Sequence, residues 1–187
     1  MGGLFPPYRV AGPPLFRDTN TRFDVPHSRF NDVPGEQMER AGMRVLAVSD
    51  ECGVLSAASP DGVRFLYFQG HPEYDFNSLL KEYKREVFRF VQGERPDYPP
   101  FPEHYIPAAA GALLDAYREE VLHAVAHRRP PPRFPEAEVE PHIDNTWTDT
   151  AKAIFNNWLG LVYQLTDWDR KRPFMDGIDP ENPLGLP

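Results

Sequence analysis

The sequence predicts an α/β protein, because three strand-like segments precede three long amphipathic helices along the chain. The strand segments are short, rich in valine and bounded by turn residues, and the helical segments repeat apolar residues at three- and four-residue spacing. The 187 residues include 22 prolines, which gather between these segments and mark their limits. Three strands are fewer than a complete doubly wound sheet contains, so the chain corresponds to part of such a fold.

The composition excludes several classes of protein. Acidic residues outnumber basic ones by 28 to 20, and a net charge of −8 argues against a nucleic-acid partner, which would need a basic face. No apolar run reaches the roughly 18 residues of a membrane span, and the N-terminus has no signal-peptide pattern. One cysteine excludes an internal disulfide or a CxxC site. We therefore expect a soluble, cytoplasmic protein without a membrane partner.

The predicted strands lie in the first half of the chain, after a short helix at Glu36–Ala41. The third strand includes a run, Phe65–Phe68, that is apolar on both faces, as in a central strand covered by helices. The dipeptide Asp61-Gly62 marks the turn before it. The predicted strands are Met43–Ser49, Gly53–Ala58 and Val63–Gln69.

Helical periodicity predicts helices over about 76–91, 108–127 and 146–165. Asp75 is a suitable N-cap for the first helix, and Gly93 is a suitable stop. The third helix should carry an apolar face made of Trp147, Ala151, Phe155, Trp158, Leu159 and Val162.

Proline-rich chain flanks these elements. Residues 1–34 show little periodicity and predict irregular or extended chain. Residues 171–187 predict a tail that is either docked on the surface or disordered. The domain would then comprise residues 1–170.

The segment with the clearest chemistry follows the third strand. His71 lies just past its carboxyl end, where open α/β sheets bind ligands, and Glu73 comes two residues later. Residues i and i+2 of an extended turn point the same way, so the carboxylate can reach one ring nitrogen. That bond would set the tautomer and leave the other nitrogen free as a base. Alternatively, His71 caps the next helix or satisfies a buried hydrogen bond, or the spacing with Asp75 holds a metal ion.

Three other positions are candidates for a catalytic or substrate-binding role. Arg85 could clamp a substrate carboxylate, or it could be an exposed helix charge paired with Glu82 or Glu86. His27-Ser28-Arg29 lies in the irregular N-terminal stretch, as a binding loop or as ordinary surface. Cys52 could be a nucleophile, but the neighbouring acidic pair would raise its thiol pKa and disfavour the thiolate.

Several stretches resemble the homoserine O-succinyltransferase family, and their order matches that family from near Gly3 to Thr166. The GHPEYD segment, the downstream arginine and the tryptophan-rich last helix make the resemblance specific. The matching stretches are Val25–Phe30, Val45–Ser49, Gly70–Asp75, Leu79–Arg85, Asn145–Trp147, Asn157–Leu159 and Tyr163–Thr166.

This resemblance implies a class I glutamine-amidotransferase-like, or flavodoxin-like, sheet with covering helices. It implies transfer of a succinyl or acetyl group from coenzyme A to the hydroxyl of homoserine, in methionine biosynthesis, through a Cys-His-Glu triad. By position, His71 would be the base, Glu73 its partner, Arg85 the ligand of the homoserine carboxylate and Ser28 part of the substrate pocket. No cofactor is expected beyond acyl-coenzyme A as co-substrate.

The family's nucleophilic cysteine and first strands would lie upstream of this chain, so the resemblance covers the carboxyl-terminal half. We expect no acyltransferase turnover from the chain alone. The alternative is a non-catalytic fragment or split-enzyme subunit that needs an N-terminal partner half. A homodimer partner also fits this picture, and the choice between succinyl and acetyl donors stays open.

Overall fold

The chain folds into two compact units, described here from a computed structural model that covers residues 2–5, 9–10 and 14–185. One unit comprises Met1–Leu4 and Tyr74–Asn145, and the other comprises Phe5–Glu73 and Thr146–Pro187. The predictions made for the prolines at positions 6, 7 and 13, and for the last two residues of the tail, fall outside the described residues. Strands and helices are both present, which confirms the α/β class.

The predicted elements are confirmed, with ends that move by at most three residues. The strands are β1 (Gly2–Phe5), β2 (Arg9–Val10), β3 (Val25–Ser28), β4 (Arg44–Ser49), β5 (Gly53–Ala58) and β6 (Leu66–Phe68). The helices are α1 (Gly35–Arg40), α2 (Ser78–Val91), α3 (Ala108–Ala126), α4 (Glu136–Val139) and α5 (Thr148–Leu165). Single 3-10 turns occur at Pro14–Phe16 and Glu140–His142.

The second unit contains a four-stranded antiparallel sheet in the order β2-β4-β5-β6. Arg44 pairs with Ala58 between β4 and β5, and Ala57 pairs with Tyr67 between β5 and β6. Within the described sheet β6 is therefore an edge strand. Phe65 is 57% exposed and Tyr67 46%, so the prediction of a central strand covered on both faces is wrong. An apolar run shows strand propensity, but it does not show which faces are covered.

The first 34 residues are more regular than their prolines indicate. Of the six strands in the described residues, β1, β2 and β3 lie there, so these parts take the extended form of the predicted irregular or extended chain. β3 includes Pro26, whose ring prevents donation to a ladder but leaves its carbonyl free to accept. Val25, Pro26 and His27 are all buried, so this part of β3 is covered on both faces.

An apolar cluster of the sheet unit joins the N-terminal segment, the sheet and α5, and a smaller one comprises Met38, Val54 and Ala57. Two side chains of α5 also bond to backbone in this unit: Trp158 Nε1 donates to Val63 O at 2.9 Å, and Asn157 Nδ2 donates to Leu15 O and Arg17 O at 3.0 and 2.7 Å. These bonds place the helix on the 3-10 turn at Pro14–Phe16. The larger cluster comprises Phe5, Leu15, Phe16, Phe23, Val25, Leu46, Ala47, Cys52, Leu55, Ala58 and Ile154.

The apolar face predicted for α5 is only partly buried. Trp147 is buried at the helix start, but Phe155 is 58% exposed and Leu159 50%. Part of the predicted apolar face is therefore exposed in the described structure. In the tail, Phe174 is buried, and Met175 N–H donates to Leu165 O at 2.9 Å.

The turn from β5 to β6 is organised by the Asp61 carboxylate. This buried group accepts hydrogen bonds from Ser59 Oγ, from the N–H groups of Val63 and Arg64 and from Arg64 Nε, at 2.8 to 2.9 Å. Burial alone would raise the pKa of Asp61, but these bonds outweigh it and lower the pKa. Gly62 N–H donates to Ser59 O at 2.7 Å, and Gly62 has a φ of +81°, which favours glycine.

The other unit is helical. α2 buries Leu79, Leu80, Tyr83 and Val87, which confirms most of the predicted stripe. The helix begins at Ser78 with Asn77 in the cap position, so the prediction of Asp75 as N-cap is wrong. Gly93, with a φ of +77°, follows the helix end as predicted.

No helix among residues 2–5, 9–10 and 14–185 is both long and apolar enough to cross a membrane.

Candidate active site

His71 and Glu73 form the pair that their spacing predicts. His71 Nδ1 lies 2.8 Å from Glu73 Oε1, and the two side chains are 33% and 67% exposed. A carboxylate can only accept, so the shared proton belongs to Nδ1 when the imidazole is neutral. Nε2 is then the ring nitrogen that carries no proton, so it is the one that can act as a base. The pair is open to solvent and has the arrangement of a general base with an orienting carboxylate.

Two features of the backbone hold His71 in place. Its N–H donates to Pro26 O of β3 at 2.7 Å, and Gln69 N–H donates to Leu55 O of β5 at 2.8 Å. Gln69 also bonds through its side-chain amide to the backbone of Val33 and Val54. The segment that carries His71 is thereby fixed to two strands.

Gly70 lies so close to its neighbours that a larger residue would fit only if their side chains shifted. A β-carbon built there would lie 2.7 Å from Leu55 Cδ1 and 2.9 Å from both His27 Nε2 and Val25 Cγ1. Real β-carbons essentially never approach other heavy atoms that closely. Any larger residue before His71 would therefore displace the side chains of Leu55, His27 or Val25, or the backbone itself.

Ser28 ends β3, the strand whose Pro26 carbonyl accepts from His71 N–H. It is half-buried and belongs to the same unit as His71 and Glu73. The structure thus brings the strand that carries Ser28 alongside the His71 segment.

His27, beside Ser28, is fully buried and forms a polar network that the sequence does not reveal. Arg29 contacts His27 Nδ1 at 2.9 Å, donates to the carbonyl of Cys52 and pairs with Asp32 at 2.8 Å. Phe5 packs edge-on against the His27 ring, with centroids 5.7 Å apart. Burial, together with the smaller effects of the charges of Arg29 and His71, lowers the pKa of His27 to about 3. His27 is therefore neutral at neutral pH.

The network also shows that Cys52 and His27 do not form a nucleophile–base pair. Cys52 Sγ lies 3.4 Å from His27 Nε2, and the thiol is buried. A guanidinium has donors only, so Arg29 donates to Nδ1, and the proton of the neutral His27 ring must be on Nε2. A nitrogen that already carries a proton cannot accept one from the thiol. This geometry argues against Cys52 as a nucleophile.

Arg85 lies on α2, in the helical unit. Its Nε is 3.5 Å from Glu86 Oε1 and its side chain is 59% exposed, so the predicted pairing with Glu86 is present but leaves the guanidinium accessible. It lines an open groove of about 450 Å³ with Lys81, Lys84, Phe88, Arg89 and Gln92. This cationic surface is suited to an anionic group.

The metal alternative receives no support from the described part of the chain. Among residues 2–5, 9–10 and 14–185, no three potential His, Cys, Asp or Glu ligands lie close enough together to hold an ion.

The buried network was missed because residues 27–29 were predicted to lie in a loop. The available signal was the alternation of Val25 and His27, which places both on one face of a strand. The contact of His27 with Cys52 joins residues 25 positions apart, and no sequence pattern reports it.

Comparison with known proteins agrees with the motifs around this site. The family model described as homoserine O-succinyltransferase matches residues 1–168. The chain belongs to the homoserine O-succinyltransferase family. The family is one of transferases.

Named members of the homoserine O-succinyltransferase family are similar over nearly the whole chain. The protein of that name from Methylococcus capsulatus is 60% identical over 181 residues, which cover 96% of this chain and 51% of the relative. The one from Methylobacter tundripaludum is 59% identical over 92% of this chain and 49% of its own length. The one from Allochromatium vinosum is 54% identical over 98% and 52%. The chain spans about half the length of the curated relatives it matches.

Proposed function

We propose that this chain is the carboxyl-terminal part of a homoserine O-acyltransferase that uses acyl-coenzyme A and acts in methionine biosynthesis. The observation that carries the proposal is the 2.8 Å contact between His71 Nδ1 and Glu73 Oε1 within a member of this family. The names of the relatives favour succinyl-coenzyme A as donor. The proposed scaffold is glutamine-amidotransferase-like, with its N-terminal strands and nucleophile supplied from outside these 187 residues.

In the proposed mechanism His71 moves protons in both halves of the reaction. Nε2 removes the proton of the nucleophilic thiol, the thiolate attacks the acyl thioester, and His71 returns the proton to the departing coenzyme A sulfur. Nε2 next removes the hydroxyl proton of homoserine, whose oxygen attacks the enzyme thioester. His71 then returns this proton to the departing cysteine sulfur, which regenerates the thiol and releases the acylated homoserine. Glu73 stabilises the imidazolium formed in each half.

Two further residues bind substrate in this proposal. Arg85 holds the homoserine carboxylate by a bidentate contact, which is supported by its exposed guanidinium in a cationic groove. Ser28 lines the substrate pocket, which is supported by its position on the strand that accepts from His71 N–H. Cys52 is not the nucleophile, because its thiol is buried against a protonated nitrogen of His27.

A thiol-release assay with homoserine and succinyl- or acetyl-coenzyme A tests the proposal. We expect turnover from a polypeptide that spans the full length of the relatives, and none from the 187-residue chain alone, because a triad without its nucleophile loses nearly all its rate. Turnover restored by adding a separate N-terminal half would identify a split enzyme. Robust turnover by this chain alone would contradict the proposal that the nucleophile lies outside these 187 residues.

Replacing Arg85 with lysine in the full-length protein should raise the KM for homoserine by about 10- to 100-fold while changing kcat less. A lysine keeps the charge but loses the planar fork that matches a carboxylate. Arg89→Lys is the matched control, since Arg89 lines the same groove but is paired with Glu86 and Glu94. If Arg85→Lys and Arg89→Lys had equal KM values for homoserine, the proposed role of Arg85 in binding the carboxylate would be wrong.

A further inference from the structure

His27 has no assigned role in the proposed reaction, yet it is a fully buried polar side chain placed next to the His71 segment. Its ring is held on several sides: by Arg29 at Nδ1, by Cys52 Sγ 3.4 Å from Nε2, and by the ring of Phe5. Gly70 lies beside the ring as well, since a β-carbon built there would lie 2.9 Å from Nε2. The ring therefore contacts the backbone immediately before His71.

The same strand bonds directly to the histidine. His71 N–H donates to the carbonyl of Pro26, the residue before His27. The position of His71 thus depends on the β3 backbone at one atom and on the His27 ring one residue away. A shift or rotation of that ring would move Gly70, and with it the imidazole that contacts Glu73.

Arg29 determines the state of the ring. Because the guanidinium donates to Nδ1, the ring proton is on Nε2 and points toward Cys52 Sγ. Arg29 is held in turn by Asp32 and by the carbonyl of Cys52. The ring therefore has one orientation and one tautomer.

We propose that His27 is a positioning residue for the His71–Glu73 pair: its neutral ring, held by Arg29, supports Gly70 and so keeps His71 Nδ1 within reach of Glu73. The inference rests on the proposed function, in which that pair is the base and its partner. His27 does not itself touch substrate or the reacting atoms.

The test uses nitrogen-15 spectra of the imidazoles in the full 187-residue chain above pH 7.5, which report the ring nitrogen that carries the proton. In the wild type we expect His27 in the Nε2–H form and His71 mainly in the Nδ1–H form. In His27→Asn, whose oxygen still accepts from Arg29 but whose small side chain cannot support Gly70, the Nδ1–H fraction of His71 should fall below about half. His142→Asn, at an exposed position, is the matched control and should leave His71 unchanged.

Exchange of the His71 backbone amide gives a second measurement. Its bond to Pro26 O should open more readily in His27→Asn, so its exchange should be at least ~10-fold faster while amides of α5 keep their rates. Gly70→Ala should give the same local acceleration because its β-carbon meets the ring. Gly160→Ala, at a site in α5 with nothing within 4 Å of the added carbon, should not.

The two proposals fail in different ways. If Glu73→Gln leaves the His71 tautomer unchanged, the proposed acid–base pair is wrong, and the positioning role is then judged on amide exchange alone. If folded His27→Asn keeps both the wild-type tautomer and the wild-type exchange rate of His71, the positioning role is wrong. A wild-type His27 that carries its proton on Nδ1, or that is protonated on both nitrogens at neutral pH, would also overturn it, whether or not the variants fold.

Discussion

Replacing His71 with alanine in the full-length enzyme is expected to lower kcat/KM by at least about 10³-fold, because both proposed half-reactions lose their only base. The expectation follows from the Glu73 contact, which places the proton of the neutral ring on Nδ1 and leaves Nε2 unprotonated. The measurement is thiol release from acyl-coenzyme A under saturating homoserine. His142→Ala, which removes an exposed histidine, should retain wild-type activity.

Glu73→Gln separates orientation from proton transfer. The amide can donate as well as accept, so it no longer favours the Nδ1–H tautomer or stabilises the imidazolium, and a loss of about 10²- to 10⁴-fold is expected. The double variant, His71→Ala with Glu73→Gln, should have the same kcat/KM as His71→Ala alone, because the carboxylate acts only through the imidazole. Additive losses would show that Glu73 has a separate role. An active His71→Ala enzyme would contradict the proposed mechanism outright.

The second large effect concerns stability against acid. In the folded chain burial lowers the pKa of His27 to about 3, from 6.5 for an ordinary histidine. Between these values the unfolded chain binds a proton that the folded chain does not, so stability falls as the pH drops below 6.5. The slope attributable to this one residue approaches 1.4 kcal/mol per pH unit, which amounts to about 2 kcal/mol between pH 7 and pH 5.

Urea unfolding of the wild type and of His27→Asn at pH 7 and pH 5 measures this effect. His27→Asn should have a lower free energy of unfolding than the wild type at pH 7. The difference between the two free energies should be smaller by about 2 kcal/mol at pH 5, because asparagine does not titrate and only the wild type loses this stability. Contributions from the carboxylates are common to both proteins and cancel in the difference. His142→Asn should keep the wild-type pH dependence. If the free energy of unfolding changed equally with pH in the wild type and in His27→Asn, the fold would not be holding His27 neutral.

The parts of the structure that the sequence predicts well depend on local spacing. The helical stripe of Leu79, Leu80, Tyr83 and Val87 is buried as its period indicates. The i, i+2 relation of His71 and Glu73 places imidazole and carboxylate in contact. Both are short-range properties, because a few residues of regular or extended backbone suffice to determine them.

The parts that were mispredicted depend on tertiary context. The run Phe65–Phe68 has the composition of a covered strand, but it lies at the edge of the described sheet, and pairing order is not encoded locally. His27 is adjacent to Pro26 and looks like loop, yet it is buried by Phe5 and Gly70, which are distant in sequence. The functional roles of Ser28 and Arg85 remain predictions, because they depend on substrate as well as fold.

The turn that contains Asp61 and Gly62 also affects the chemical stability of the protein over time. An aspartate followed by glycine is prone to rearrange into isoaspartate, which requires attack of the glycine nitrogen on the aspartate side-chain carbon, most readily when the carboxyl is protonated. Here the lowered pKa keeps Asp61 ionised, four donors hold its oxygens, and Gly62 N–H is committed to Ser59 O. The native turn therefore protects the Asp61-Gly62 dipeptide from this rearrangement. The same dipeptide would be vulnerable in the unfolded chain.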